Sequence, residues 1–152
     1  MRQKRRKEIM KGKQDLTPEQ VDIIENAYAE SLDEIDREDT SHVLAKEAKG
    51  RQKAESLLRE VRWKHLGRQI LLLYDMLKAW WRKEFDVPWK TAAAITAALL
   101  YFINPFDIVP DFLPVVGYLD DVVVVGACLK LIQSDLRSFA KSRGLDLADF
   151  GL

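Results

Sequence analysis

The stretch Thr91–Leu129 constrains this chain more than any other. It contains no Lys, Arg or His, although the whole sequence carries 24 Lys+Arg, and its only charges are Asp107, Asp111, Asp120 and Asp121. Lys90 and Lys130 close it off on either side. An apolar block that holds four carboxylates and no counter-charge needs an account of where its apolar faces and its charges go.

Proline divides the block. Asp86-Val87-Pro88 breaks the chain before it, and Pro88 falls near the first position of a helix with Asp86 as its cap. That helix has to stop by Asn104, because a residue before proline avoids the α region. Pro105, Pro110 and Pro114 then crowd a tight, irregular connection. Asp120 is placed as the N-cap of a last helix, with Asp121 at its first position, where a negative charge suits the helix dipole. Val122–Val125 is β-branched and strand-compatible. The apolar pattern nevertheless runs on through Leu129, Leu131, Ile132, Leu136 and Phe139 to Gly144, which favours helix.

Upstream the pattern is helical too. Thr17-Pro18-Glu19-Gln20 reads as a capping box with proline at the first helical position. Val21, Ile24, Tyr28, Leu32 and Ile35 follow as one apolar stripe. The run Asp36–Thr40 reads as a break, with Thr40 or Ser41 capping the next helix. From His42 to about Phe85 a second stripe runs through Leu57, Leu58, Val61, Leu66, Ile70, Leu73, Leu77 and Trp80. Gly50 and Gly67 are weak points in it, each costing about 1 kcal/mol relative to Ala. Asp15–Thr40 holds ten acids and one base, whereas Ser41–Lys90 holds twelve bases and six acids. These two helical regions are therefore expected to pair antiparallel. The fold class is all-α, with long amphipathic helices ahead of an apolar helical hairpin. The organisation is a basic, disordered tail (1–16), an amphipathic helical region (17–85), a hairpin domain (86–140) and a short C-terminal tail (141–152).

The segment YFINPFDIVPDFLPVVGYLDD resembles the signature of the YkvA-like family, a domain of unknown function (number 1232). Pro105, Asp107, Pro110, Asp111, Phe112, Pro114, Gly117, Tyr118, Asp120 and Asp121 all match its pattern. The resemblance covers about residues 86–140. It implies an α-helical hairpin of a membrane-associated family with no established enzymatic activity, and it supplies no catalytic residues.

The four aspartates have two readings. Carboxylates cap helix ends and tie down proline-turn amides. They could also gather into a hard-cation site for Mg²⁺ or Ca²⁺, although no EF-hand run is present. No cofactor is expected, a divalent cation being the alternative. His42 and His65 lie far upstream on polar surface, and Cys128 sits among apolar residues as a buried thiol. A hydrolase reading therefore lacks parts.

Trp80, Trp81, Phe85 and Trp89 cluster with Lys78, Arg82, Lys83 and Lys90 just before the apolar block. Rings beside cations compose a membrane–water interface as well as they compose core plus solvated face. The longest uncharged run, Thr91–Phe106, has 16 residues. It would reach about 24 Å as a helix, against about 30 Å of bilayer core. The six strongly apolar residues of Pro88–Phe106 contribute roughly −3 kcal/mol to insertion. The twelve of Phe112–Ile132 contribute roughly −6, against roughly +8 from Asp120, Asp121 and Lys130. A hairpin dipping in from one face, or a bundle with the hairpin as its core, fits better than a span.

The basic run Met1–Lys13 lacks the apolar segment of a secretory signal. It can solubilise the chain or meet anionic lipid, and nothing behind it suggests a nucleic-acid partner. The expected function is a non-enzymatic accessory protein, associated with the cytoplasmic side of a membrane and contacting lipid or a membrane protein. Its interface residues are Trp80, Trp81, Trp89 and Lys90. A metal-dependent enzyme and a soluble helix-binding module are the alternatives. No oligomeric state follows from these features.

Overall fold

Seven α-helices and no strand form among the described residues, 16–104 and 119–152, of this computed structural model. The expected basic tail and most of the Pro/Asp-rich turn, including Pro105, Asp107, Pro110, Asp111, Pro114 and Gly117, lie outside the described residues.

Helix α1 (Pro18–Ser31) starts as its sequence dictates. Thr17 Oγ1 accepts the Gln20 amide at 3.1 Å, and the Gln20 side chain accepts the Thr17 amide at 2.9 Å. Helix α2 (Arg37–Ala45) begins earlier than the expected break allows. Asp36 and Asp39 form a second capping box, so the acidic run starts a helix and puts Glu38 and Asp39 in its first turn, where carboxylates meet the positive end of the dipole. Helix α3 (Glu47–Leu57) follows after a bend at Lys46. A turn over 58–63 separates it from α4 (Lys64–Trp81). The long second stripe is therefore three helices. Val61 falls in a short 3-10 turn between two of them, out of register with the core, and is 95% exposed.

The two glycines expected to weaken that region lie where α3 meets α4. A Cβ on Gly50 would come within 1.8 Å of the Tyr74 hydroxyl, and one on Gly67 within 2.7 Å of the Ala54 carbonyl. The pairing is antiparallel, since Arg51 bonds both Glu47 and Asp75 and Glu47 also bonds Lys78. Helix α1 does not pair with this basic region as charge complementarity suggested. Its buried residues, Ile24 and Tyr28, turn towards α5 (Trp89–Ile103) and α6 (Leu119–Leu131). Burial of the apolar stripe outweighs opposite charge at solvated rims, where ion pairs contribute about 0–1 kcal/mol.

Helix α5 is the axis of the bundle. Every residue from Thr91 to Leu99 is buried, as are Tyr101 and Phe102, and a helix apolar all round needs such a central place or a membrane. Pro88 is its N-cap rather than its first residue, and the Pro88 carbonyl accepts the amides of Thr91 and Ala92. Asp86 is not the cap. The helix ends at Ile103, one residue before Asn104. Polar threads tie its neighbours to it. Tyr28 of α1 donates to the Ala94 carbonyl at 2.6 Å, Thr40 of α2 meets Thr96 at 2.8 Å, and Cys128 of α6 reaches the Ala94 carbonyl at 3.5 Å.

Helix α6 packs along α5, with Cys128 against Ala94. It does not continue to Gly144. Ile132 leaves helical geometry, and α7 (Gln133–Ser142) begins after it, with Asp135 accepting from Thr91. Leu131, expected on the apolar stripe, is 59% exposed at this break. The C-terminal residues are better organised than their pattern suggested. Leu147–Phe150 forms a 3-10 turn against α4, held by Arg68 to the Asp149 carbonyl and Gln69 to the Phe150 carbonyl. One apolar core runs through all seven helices, from Ile24 to Phe139.

Candidate functional site

Two places on this scaffold gather residues singled out in the sequence. The first is the start of α6. Leu119 is already helical, so Asp120 and Asp121 occupy the first turn rather than the cap, and both are buried, at 1% and 5% exposure. Burial pushes the Asp121 carboxyl up to about 7, Asp120 adds to the shift, and Lys53 opposes it. Opposite them, burial holds the Tyr101 phenol far above its ordinary range, reinforced by the two carboxylates. Lys53 arrives from α3. Its Nζ donates to the Phe102 carbonyl at 2.7 Å and lies 4.4 Å from the centre of the Phe102 ring.

This arrangement can hold a proton near neutral pH, because desolvation disfavours the charged carboxylate more than Lys53 favours it. Asp107 and Asp111 lie outside the described residues, so the four-aspartate set cannot be placed around a cation. Among the described residues no group of three or more His, Cys, Asp or Glu side chains is close enough to hold a metal ion. Tyr101 and Lys53 escaped the sequence reading. Tyr101 looked like one more apolar residue of the block, and Lys53 sits in a different helix, far away along the chain.

The second place is the end of the bundle where α4 stops and α5 starts. Trp80 lies 6.3 Å from Trp81 and 5.7 Å from Trp89, ring centre to ring centre. Trp81 and Trp89 are 36% and 39% exposed, while Trp80 packs partly against the core. Arg37, from the first turn of α2, stacks 5.3 Å from Trp80 and 5.2 Å from Trp81, a cation–π arrangement between residues far apart along the chain. A cavity of about 390 Å³ opens between Arg37, Trp80, Trp81 and Asp86. Lys83 lines the cavity beside Trp80 and Trp81, and Lys90, next to Trp89 in the chain, is exposed; Arg82 is exposed too but lines a neighbouring groove with Lys78 and Glu84. Acids are nearby as well, Asp36 and Glu38 on either side of Arg37, and Glu84 and Asp86 after α4, and Glu84 faces Arg143 at 3.8 Å. Phe85 lines the same cavity as Trp80 and Trp81 and also meets Phe139 edge-on at 5.1 Å, whereas Lys78 points away to Glu47. The expected interface residues Trp80, Trp81, Trp89 and Lys90 thus lie on one edge.

Among the described residues no helix is long and apolar enough to cross a membrane. Residues 91–127 match the family model described as "Protein of unknown function (DUF1232)". Over 92 residues the chain is 33% identical to a protein of Bacillus subtilis (strain 168) named "Uncharacterized membrane protein YkvA", covering 59% of this chain and 85% of that one. No solved structure matches the chain.

Proposed function

The chain belongs to the YkvA-like family of domain of unknown function 1232, and from that premise we propose that it is a membrane-associated accessory protein that docks on the cytoplasmic face through its tryptophan edge. The carrying observation is the grouping of exposed Trp81 and Trp89 with Arg37, Lys83 and Lys90 at one end of the bundle. Indole rings settle at headgroup depth. Each cation beside an anionic surface contributes up to about 1 kcal/mol, and Asp36, Glu38, Glu84 and Asp86 oppose part of it. The Bacillus subtilis relative is named as a membrane protein, which supports the reading. The burial of α5 supports docking over insertion, since the most apolar helix already serves as the core. The edge offers rings and charges with no nucleophile among them, so the proposed action is by contact and not by catalysis.

Vesicle flotation tests this. Anionic phosphatidylglycerol vesicles should carry the protein upward, phosphatidylcholine vesicles should carry less, and added salt should release it. Trp81→Ala with Trp89→Ala should weaken flotation without loss of helicity, because both rings are exposed. If anionic vesicles leave the unmodified chain in solution, the membrane reading fails and a soluble helix-binding module replaces it.

A further inference from the structure

At the far end of α5 from the tryptophan edge, a groove of about 540 Å³ opens between α2–α3 and the last turn of α5. We propose that this groove binds a phosphoryl group carried on an apolar body. His42, Lys46, Lys49 and Lys53 line it. Their spacing of four, three and four residues puts them on one face of a helix, and here that face runs across the bend between α2 and α3. The opposite wall comes from Leu100 and Ile103, with Asn104 at its end. One side of the groove is therefore cationic and the other apolar.

The charges are arranged for an outside anion. No carboxylate of the described residues lines the groove. Of the two acids on α3, Glu47 turns the other way to Arg51 and Lys78, and Glu55 is exposed but does not line the groove. Lys46 and Lys49 are exposed and take part in no ion pair among the described residues. Lys53 is anchored on the Phe102 carbonyl and partly answered by Asp121, so it contributes a smaller charge from a fixed position. Two exposed ammonium groups beside a fixed third make a concave positive field, which concentrates anions. Lysine is a point-charge phosphate ligand that needs no planar geometry. Leu100 and Ile103 add what a bare phosphate would not use, namely apolar surface beside the charge. The volume lies within the usual range for a small-molecule site, about 300–1,000 Å³.

Calorimetric titration of the full chain tests the site. Dihexanoyl phosphatidic acid, kept below its micelle-forming concentration, should bind. Dihexanoyl phosphatidylcholine, with the same chains but no net charge, should bind much less. Lys46→Gln with Lys49→Gln should weaken phosphatidic acid binding about tenfold or more. Both side chains are exposed, and circular dichroism should show the variant folded. Inorganic phosphate separates the sources. If it binds as tightly as the short-chain lipid, the ligand is a soluble phosphate. If it only competes weakly, the ligand is a lipid headgroup or another phosphorylated amphiphile. Absence of binding by both, or binding unchanged in the double variant, overturns the proposal. The probes form no surface, so failure here is distinct from failure of vesicle docking.

Discussion

Replacing Gly67 or Gly50 with alanine should destabilise the protein, and replacing Gly126 should stabilise it. All three glycines lie within helices, where alanine is intrinsically better by about 1 kcal/mol. They differ in what surrounds them. A Cβ on Gly126 meets nothing within 4 Å, so the intrinsic gain of about 0.5–1 kcal/mol should appear whole. A Cβ on Gly67 would stand 2.7 Å from the Ala54 carbonyl oxygen, 3.0 Å from a Leu58 methyl and 3.1 Å from Leu57 Cβ. Ordinary contact needs about 3.5 Å or more, and the nearest obstacle is backbone, which yields only if α3 and α4 part. Overpacking of this kind costs about 1–3 kcal/mol, which leaves a net loss of up to about 2 kcal/mol after the intrinsic gain. Gly50 should fare worse, because its Cβ would fall 1.8 Å from the hydroxyl and 2.6 Å from Cζ of Tyr74, whose ring is fully buried. Urea unfolding followed by far-UV circular dichroism reads the effect. The Gly67→Ala and Gly50→Ala midpoints should fall and the Gly126→Ala midpoint should rise, with slopes unchanged. If Gly67→Ala and Gly126→Ala move the midpoint in the same direction, the close α3–α4 contact is wrong.

Two further predictions concern a charge and a cap. The folded-state value for Asp121, about 7, lies above the ordinary carboxylate value of 3.8. The folded protein therefore binds this proton more tightly than the unfolded chain. The corresponding stability is present below the unfolded value and is lost as pH rises through the window to about 7, on the order of a few kcal/mol. Thermal melts should show this decline, and Asp121→Asn should flatten it. If the unmodified protein is equally stable at about pH 5 and about pH 8, the burial of an ionisable Asp121 is wrong. Lys83 ends α4 with φ of 61°, while its amide bonds the Trp80 carbonyl and the Glu84 amide bonds the Ala79 carbonyl. That is the position glycine normally fills. Lys83→Gly should therefore remove about 1 kcal/mol of strain and raise the melting temperature by about 2–4 °C. A lowered melting temperature would contradict the left-handed cap.

What the sequence disclosed was local. The Thr17–Gln20 box and the end of α5 before Asn104 are each decided within a few residues, whereas Val122–Val125, strand-compatible alone, reads as helix from the longer apolar pattern. What it hid was decided by partners. The run Asp36–Thr40 has the composition of a break, and a break does fall at Ile35–Asp36. Its acids nevertheless serve the next helix, because the same residue types favour turns and N-caps. Gly50 and Gly67 look like weaknesses by propensity and become contacts only once α4 lies on α3. Asp120 and Asp121 were legible as belonging to a helix start, but their burial beside Tyr101 required knowing that α6 lies along α5. The aromatic edge was legible as a cluster, to which the structure adds Arg37.

The membrane question turns on α5, because its sequence suits a bilayer and a bundle core about equally. Transfer from core to lipid changes its apolar energy little, since lipid tails are as apolar as leucine. The polar terms do not cancel. Insertion of α5 would separate Thr96 from Thr40, the Ala94 carbonyl from Tyr28, Thr91 from Asp135 and the Phe102 carbonyl from Lys53. Each such bond contributes about 0.5–1.5 kcal/mol, and a partner left buried and unsatisfied costs about 1–3 kcal/mol. The apolar faces of α1, α2, α4 and α6 that now rest on α5 would also lose their cover, at about 25 cal/mol for each Å² returned to water. Docking by the tryptophan edge breaks none of these contacts. It removes only the already exposed faces of Trp81 and Trp89 from water and brings the neighbouring cations to an anionic surface. The balance of terms therefore favours a bundle that stays closed against the membrane over a hairpin that leaves the bundle to enter it.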